Sequence, residues 1–308
     1  MTVLTAATEL QPGPRKVCVA IGVFDGVHLG HQQVIRQTLA DARQHEGVPV
    51  VITFDRHPNT VVAPDRVPPM LYSLPQKLRA LESLGVANTL LIHFNRAFSQ
   101  HTGEQFIREL ARDFGHLHSV CVGAEFTFGH KRSGNVALLK QLGAELKFTV
   151  HGLAALALDG EPVSSTRIRE AVRTGDLDAA SQMLGREYSI AGTVIRGDQL
   201  GRKLGFPTAN LDVTGLVLPP NGVYAVHARL RGHEHRGALN LGVRPTLASP
   251  TPRLQCEVHL LDFADEIYGE ELELTFVAKL RDEQKFPNVE ALKAQITHDL
   301  ATARALFA

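Results

Sequence analysis

Short apolar runs alternate with helix-periodic segments through the first half of the chain, and this alternation leaves few folds open. The apolar runs lie at 17–21, 48–54, 89–93, 119–122 and 146–150, and the helix-prone segments between them at 32–44, 75–84, 103–114 and 135–142. Strands joined by helical crossovers pair in parallel, because a tight turn can only return the chain antiparallel. The expected product is a mainly parallel, Rossmann-like sheet with helices on both faces. Ligands of such sheets sit beyond the carboxyl ends of the strands.

The pattern changes after Arg169. Two short helices are expected at 168–173 and 177–184. Strand-like runs then follow at 189–195, 222–230, 238–243, 255–260 and 271–277, with Gly and Pro between them. That spacing predicts a small antiparallel sheet or barrel. A last helix should begin after Asn288, an N-cap residue, with Val289, Leu292, Ile296, Leu300 and Ala303 on its apolar face. A length of 308 residues accommodates two such domains. The boundary is expected near 184–187, giving domains 1–184 and 185–308.

Lys plus Arg and Asp plus Glu both total 32, so no global basic field points to a nucleic-acid partner. Cys18, Cys121 and Cys256 are far apart and form no CxxC pair, which argues against a disulfide framework or a zinc site. No apolar stretch is long enough for a membrane span, and the first residues lack the pattern of a signal peptide. A reducing, cytoplasmic setting is the expectation.

The first strand runs into Gly22-Val23-Phe24-Asp25-Gly26-Val27-His28-Leu29-Gly30-His31 and then into a helix. The first N–H groups of a helix lack internal partners and its dipole favours an anion, so this turn is suited to phosphate. His28 and His31 add donors to charge developing there. Thr53-Phe54-Asp55-Arg56-His57-Pro58 ends the second strand on the same sheet edge, and Val122 to Gly129 ends a later one. Ser164-Ser165-Thr166-Arg167-Ile168-Arg169 opens another helix. Hydroxyls, free N–H groups and guanidinium forks together suit polyphosphate.

In the second half, Gly192 to Gly197 leads through Gly201-Arg202-Lys203-Leu204-Gly205 to Phe206-Pro207-Thr208-Ala209-Asn210. No P-loop signature is present. Thr208 and Asn210 are two apart, so on an extended chain they face one side. Their neutral oxygens, with phosphate oxygens and water, make a fitting Mg²⁺ shell.

GVFDGVHLGHQ with the later SSTRIR resembles the bacterial bifunctional riboflavin kinase/FAD synthetase family, whose N-terminal module belongs to the HxGH nucleotidyltransferases. GFPTANL, LPPNGVYAV, NLGVRPT, EVHLLDF, IYG and LRDEQKF follow in the order of the family's kinase module, so the likeness spans about Val17 to Leu300. The resemblance implies that the first domain joins AMP from ATP to FMN, giving FAD and pyrophosphate. It implies that His28 and His31 stabilise the triphosphate in transit, that Ser165, Thr166 and Arg169 hold the β and γ phosphates, and that Gly22, Phe24 and Asp25 line the nucleotide pocket. It further implies that the second domain transfers the γ-phosphoryl of ATP to riboflavin. Glu257 is then the general base, Gly201, Arg202, Gly205 and Pro207 serve the nucleotide, Thr208 and Asn210 the Mg²⁺, and Arg281 and Glu283 the flavin from a loop after the last strand. The partners implied are ATP, riboflavin and FMN, with flavoproteins as eventual recipients of the products, and neither nucleic acid nor membrane.

Two positions depart from the family pattern. Arg56 stands where a proline is usual, and Glu125 where Asp or Asn is usual. Two alternatives follow: a kinase whose first domain is impaired, or a flavin-sensing binding protein that keeps both folds.

Overall fold

The computed structural model describes residues 1–197, 199–244 and 253–307. The chain divides into two compact units. One comprises Met1–Met70 with Leu74–Arg167, and the other Leu71–Ser73 with Ile168–Ala308.

The first unit is built on six strands, β1 (Thr2–Leu4), β2 (Val17–Ile21), β3 (Val48–Phe54), β4 (Asn88–Ile92), β5 (Leu117–Gly123) and β6 (Thr149–Leu153). They are ordered β1-β4-β3-β2-β5-β6 and every neighbouring pair is parallel. All five residues of β2 are buried, as its central place demands. Four helices cover the sheet: α1 (Leu29–Gln44), α2 (Leu74–Ser83), α3 (Gly103–Phe114) and α4 (Val136–Leu146). Alternate residues of one strand point to opposite faces. Ala20, Val51 and Cys121 therefore pack with Val34, Ile35 and Leu39 of α1 and Leu81 of α2. Val19, Val50 and Val120 pack on the other face with Ile107 and Leu110 of α3 and Leu139 and Leu142 of α4. The expected layers are thus present on both faces.

One strand is displaced from the sequence expectation. The apolar run at 146–150 does not begin as a strand, because Leu146 still belongs to α4. Lys147 adopts a left-handed conformation (φ 64°) that ends the helix, and β6 starts at Thr149. The first strand, β1, was not foreseen. Three residues carry too little pattern to announce an edge strand, and only the pairing with β4, from Thr2–Asn88 to Leu4–Leu90, defines it.

In the second unit, α5 (Ser165–Thr174) carries the chain over the division and α6 (Leu177–Leu184) follows. Six strands then close a barrel: β7 (Ser189–Ile195), β8 (Ala209–Asp212), β9 (Gly222–Leu230), β10 (His233–Arg244), β11 (Arg253–Leu260) and β12 (Glu271–Arg281), in the order β7-β8-β11-β10-β9-β12. All pairs are antiparallel. Gly192 is required where β7 crosses β8, since a Cβ there would sit 2.2 Å from the Asp212 carbonyl oxygen. Pro245 and Thr246 of the NLGVRPT motif lie outside the described residues.

The last helix, α7 (Val289–Leu306), is capped by Asn288 as expected, its side chain accepting from the Ala291 N–H at 2.8 Å. Ala303 and Leu300 pack over Ala225 and Ala238 of the barrel. Val289 does not join that face and is 49% exposed. The first turn lies beyond the edge of the barrel contact, so amphipathic spacing placed one residue too many in the core.

Candidate active sites

The first site forms where β2 turns into α1. Gly22 leaves the strand, and a Cβ on it would press against the Phe24 ring at 2.9 Å. Phe24 takes a left-handed conformation (φ 52°), so its ring folds back into the core and is 1% exposed. Asp25 to Val27 form a short 3-10 turn, and His28 caps α1. Its Nδ1 accepts from the His31 N–H at 3.4 Å. The His28 and His31 rings stack with centroids 3.6 Å apart, and Phe24 meets His31 edge-on at 5.2 Å. Gly30 fits between because a Cβ there would already touch the His28 ring at 3.3 Å. The two imidazoles are thus fixed by the backbone at the positive end of a sixteen-residue helix.

Of the hydroxyl cluster, Ser164 is the cap, accepting from the Arg167 N–H at 3.2 Å. That leaves Ser165, whose Oγ donates to the Asp25 carbonyl at 3.0 Å and ties the start of α5 to the HxGH turn. Thr166 is exposed and Arg169 is buried. Asp25 is also buried.

Sequence reasoning missed Lys77 of α2. It is 3% exposed, and its Nζ donates to the carbonyls of Phe54 (2.7 Å) and Val23 (3.3 Å) and to Thr53 Oγ1 (3.2 Å). It therefore joins the end of β3 to the turn after β2. Burial lowers its pKa to about 8, against the opposing pull of the Asp25 and Asp55 carboxylates.

It also missed a cavity of about 690 Å³ in the same unit, within the range of small-molecule sites. Phe54, Phe94, Phe98, Phe106, Phe126 and Phe128 line it. Phe54, Phe94 and Phe98 contact one another, and Phe126 stacks on Phe128 at 5.2 Å. The rim is basic, with Arg96, Lys131 and Arg132. These residues come from four separate stretches of chain, so no local motif announces them.

The two departures from the family pattern fall at the edge of this region. Arg56 is engaged by its neighbour Asp55 at 3.1 Å, and Glu125 is exposed. Burial would raise the Asp55 carboxyl, but the Phe94 N–H, Arg56 and His93 outweigh it and hold the group below its usual range.

The second site lies on the barrel. Cys256, Val258 and Leu260 of β11 are buried, so Gln255, Glu257 and His259 face away from the core. Glu257 stands between Asn210 of β8 and Asn240 of β10, its register partners on either side. It lines a cavity of about 320 Å³ together with Gly201, Thr208, Arg281 and Glu283. A second cavity, also of about 320 Å³, holds Arg202 and Pro207. Thr208 lines both. Gly205 (φ 94°) lines neither, and closes the turn Leu200–Leu204 in a conformation that favours glycine.

The expected metal ligands fit a hard cation. A Cβ on Gly201 would lie 3.1 Å from Thr208 Oγ1, and one on Gly197 within 2.5 Å of the Asn210 amide. The two glycines therefore keep space beside the two oxygen donors. Arg281 corrects the sequence expectation. It is the last residue of β12 rather than a loop residue, and its guanidinium grips Asp299 of α7 at 2.8–3.0 Å through two nitrogens. Its first role is to fasten α7 to the barrel. Glu283 does lie in the loop, where it accepts from Asn221 at 3.1 Å.

Comparison with known proteins also finds two parts. A family model described as FAD synthetase matches residues 10–167, and one described as riboflavin kinase matches residues 184–307. The bifunctional riboflavin kinase/FMN adenylyltransferase of Haemophilus influenzae is 39% identical over 290 residues, covering 94% of each chain. That of Escherichia coli K12 is 37% identical over 309 residues, covering 100% of this chain and 98% of its own. A crystal structure described as a macrolide-efflux protein from Streptococcus pneumoniae has the same architecture, with a TM-score of 0.81 and 27% identity over 98% of each chain. Among the described residues of the present chain, no helix is long and apolar enough to cross a membrane. A parallel-sheet unit carrying an HxGH turn and a closed barrel carrying FPTAN and Glu257, matched over their whole length, assign the chain to the bifunctional riboflavin kinase/FMN adenylyltransferase family.

Proposed function

We propose that residues 185–308 phosphorylate riboflavin to FMN and that residues 1–184 adenylylate FMN to FAD, each half using its own ATP site. Both activities are those of the family to which the chain belongs.

The observation that carries the kinase assignment is Thr208, shared by a cavity containing Glu257 and another containing Arg202. A nucleotide in one and a flavin in the other would meet beside it. Glu257 accepts the proton of the ribityl hydroxyl, and that oxygen attacks the γ-phosphorus as ADP leaves. Mg²⁺, when bound, supplies charge neutralisation of the triphosphate, and the Thr208 hydroxyl and the Asn210 amide oxygen would hold it. Arg202 and Pro207 line the nucleotide side, Gly205 closes the turn between them, and Gly201 opens onto the flavin side that Arg281 and Glu283 border.

In the first half, a phosphate oxygen of FMN attacks the α-phosphorus of ATP and pyrophosphate leaves. Negative charge builds on the transferring group, and fixed donors serve it best because they need no reorganisation. His28 and His31, held at the positive end of α1, are such donors. Gly22, Phe24 and Asp25 border the nucleotide, and Ser165, Thr166 and Arg169 its β and γ phosphates. The phenylalanine-lined cavity suits the isoalloxazine ring by stacking, and its basic rim suits the flavin phosphate. The three free, buried cysteines support work in the reducing cytoplasm. FMN and FAD then pass to flavoproteins.

Incubation with riboflavin, ATP and Mg²⁺, with products separated by chromatography, tests this reading. FMN followed by FAD is expected. FMN alone would select a kinase with an impaired first domain, and neither product a flavin-sensing protein.

A further inference from the structure

We propose that Asp41, Cys121 and His151 form a binding site for a transition-metal ion of the zinc class, separate from both substrate sites. Cys121 of β5 and His151 of β6 are register partners on adjacent strands, and Asp41 lies in the last turn of α1, which covers this face. His151 Nε2 is 3.0 Å from Asp41 Oδ2, and Cys121 Sγ is 3.7 Å from the same oxygen. All three donor atoms lie within 4.8 Å of one another. Tetrahedral zinc, with bonds of about 2.0–2.3 Å, separates its ligand atoms by about 3.3–3.6 Å. An ion therefore needs only small adjustments. Asp41 Oδ1 accepts from Gln37 Nε2 at 2.8 Å, which fixes the carboxylate as outer-shell partners of metal ligands do.

The mixed sulfur, nitrogen and oxygen set selects the ion. Mg²⁺ and Ca²⁺ prefer oxygen alone, whereas Zn²⁺ takes all three. Without an ion the Cys121 thiol carries its proton and donates it in a hydrogen bond to Asp41. On binding, the S–H bond breaks, a sulfur–metal bond forms and the proton leaves to solvent. The His151 side chain is 32% exposed and gives a route in. Water completes the fourth position. None of the three residues lines the cavities of either substrate site. The ion would clamp α1 to β5 and β6, a structural role that leaves both reactions untouched.

Co²⁺ titration of the full-length protein, followed by Zn²⁺ displacement and calorimetry, provides the test. One equivalent should bind with a thiolate-to-cobalt charge-transfer band, release about one proton per ion and raise the melting temperature. Cys121→Ser should abolish the band. His151→Asn, at a partly exposed position that preserves the fold, should weaken Zn²⁺ binding by roughly a hundredfold. His233→Gln, on an exposed residue, should change nothing. A spectrum without the sulfur band, or equal Zn²⁺ affinity in wild type and a folded His151→Asn variant, would overturn the proposal.

Discussion

Lys77 offers a test of how the first site is built. Replacement by methionine keeps the side chain's bulk but removes the ammonium that bonds Phe54 O, Thr53 Oγ1 and Val23 O. Burial lowers the Lys77 pKa from its ordinary 10.5 to about 8, so the charged form is less stable in the fold by about 3 kcal/mol than in the unfolded chain. The sign follows from proton counting. Between pH 8 and 10.5 the unfolded chain keeps the proton and the folded chain sheds it, so this lysine's contribution to stability grows as pH rises. From pH 7 to pH 10 the wild type should gain about 2.5 kcal/mol relative to Lys77→Met. Other titrating groups are common to both proteins and cancel in the difference. Urea unfolding followed by far-UV circular dichroism at several pH values measures it. A difference that stays constant, or that moves towards the variant, would refute the description of Lys77 as a buried, desolvated cation. The same variant should also lose FMN adenylylation, because the turn after β2 loses its tie to β3, while FMN formation continues.

The remaining expectations concern separability and architecture. Glu257→Gln should slow FMN formation by roughly 10²–10⁴-fold while FAD synthesis from supplied FMN survives, as read by product chromatography. His28→Ala with His31→Ala should do the reverse, and loss of both activities from either change in a folded protein would falsify the two-site model. Asp299→Ala leaves Arg281 half-buried without its partner and should destabilise the barrel unit by about 3 kcal/mol in thermal unfolding. Replacing both residues of the pair by apolar ones should cost less. Gly129→Ala places a Cβ 2.2 Å from Gly103 N at a φ of 73°, so it should distort the phenylalanine-lined cavity and raise the KM for FMN about tenfold without touching riboflavin phosphorylation.

Much of this protein is written locally in its sequence. Strand and helix alternation is a short-range pattern, so the parallel sheet and its layers were legible, and so was the antiparallel half. The shape of the turn after β2 was legible for the same reason: Gly22, His28, Gly30 and His31 lie within ten residues, and backbone geometry alone brings the imidazoles together. Boundaries were less legible where a single residue decided them, as Lys147 does at the end of α4. Tertiary structure decided whatever depends on residues far apart in the chain. Six phenylalanines from distant segments meet only once β3, α3 and the loops around them pack. Lys77 is read from sequence as a solvated helix residue, and it becomes a buried link only because α2 lies over Thr53 and Phe54. Arg281 could be placed near the flavin by motif, but its hold on Asp299 exists only after α7 returns to the barrel. Cys121 and His151 are thirty residues apart, and no pattern relates them until strand register sets them side by side beneath Asp41. Side-chain periodicity reports which face a residue takes, whereas its partners across that face are fixed by packing of the whole domain.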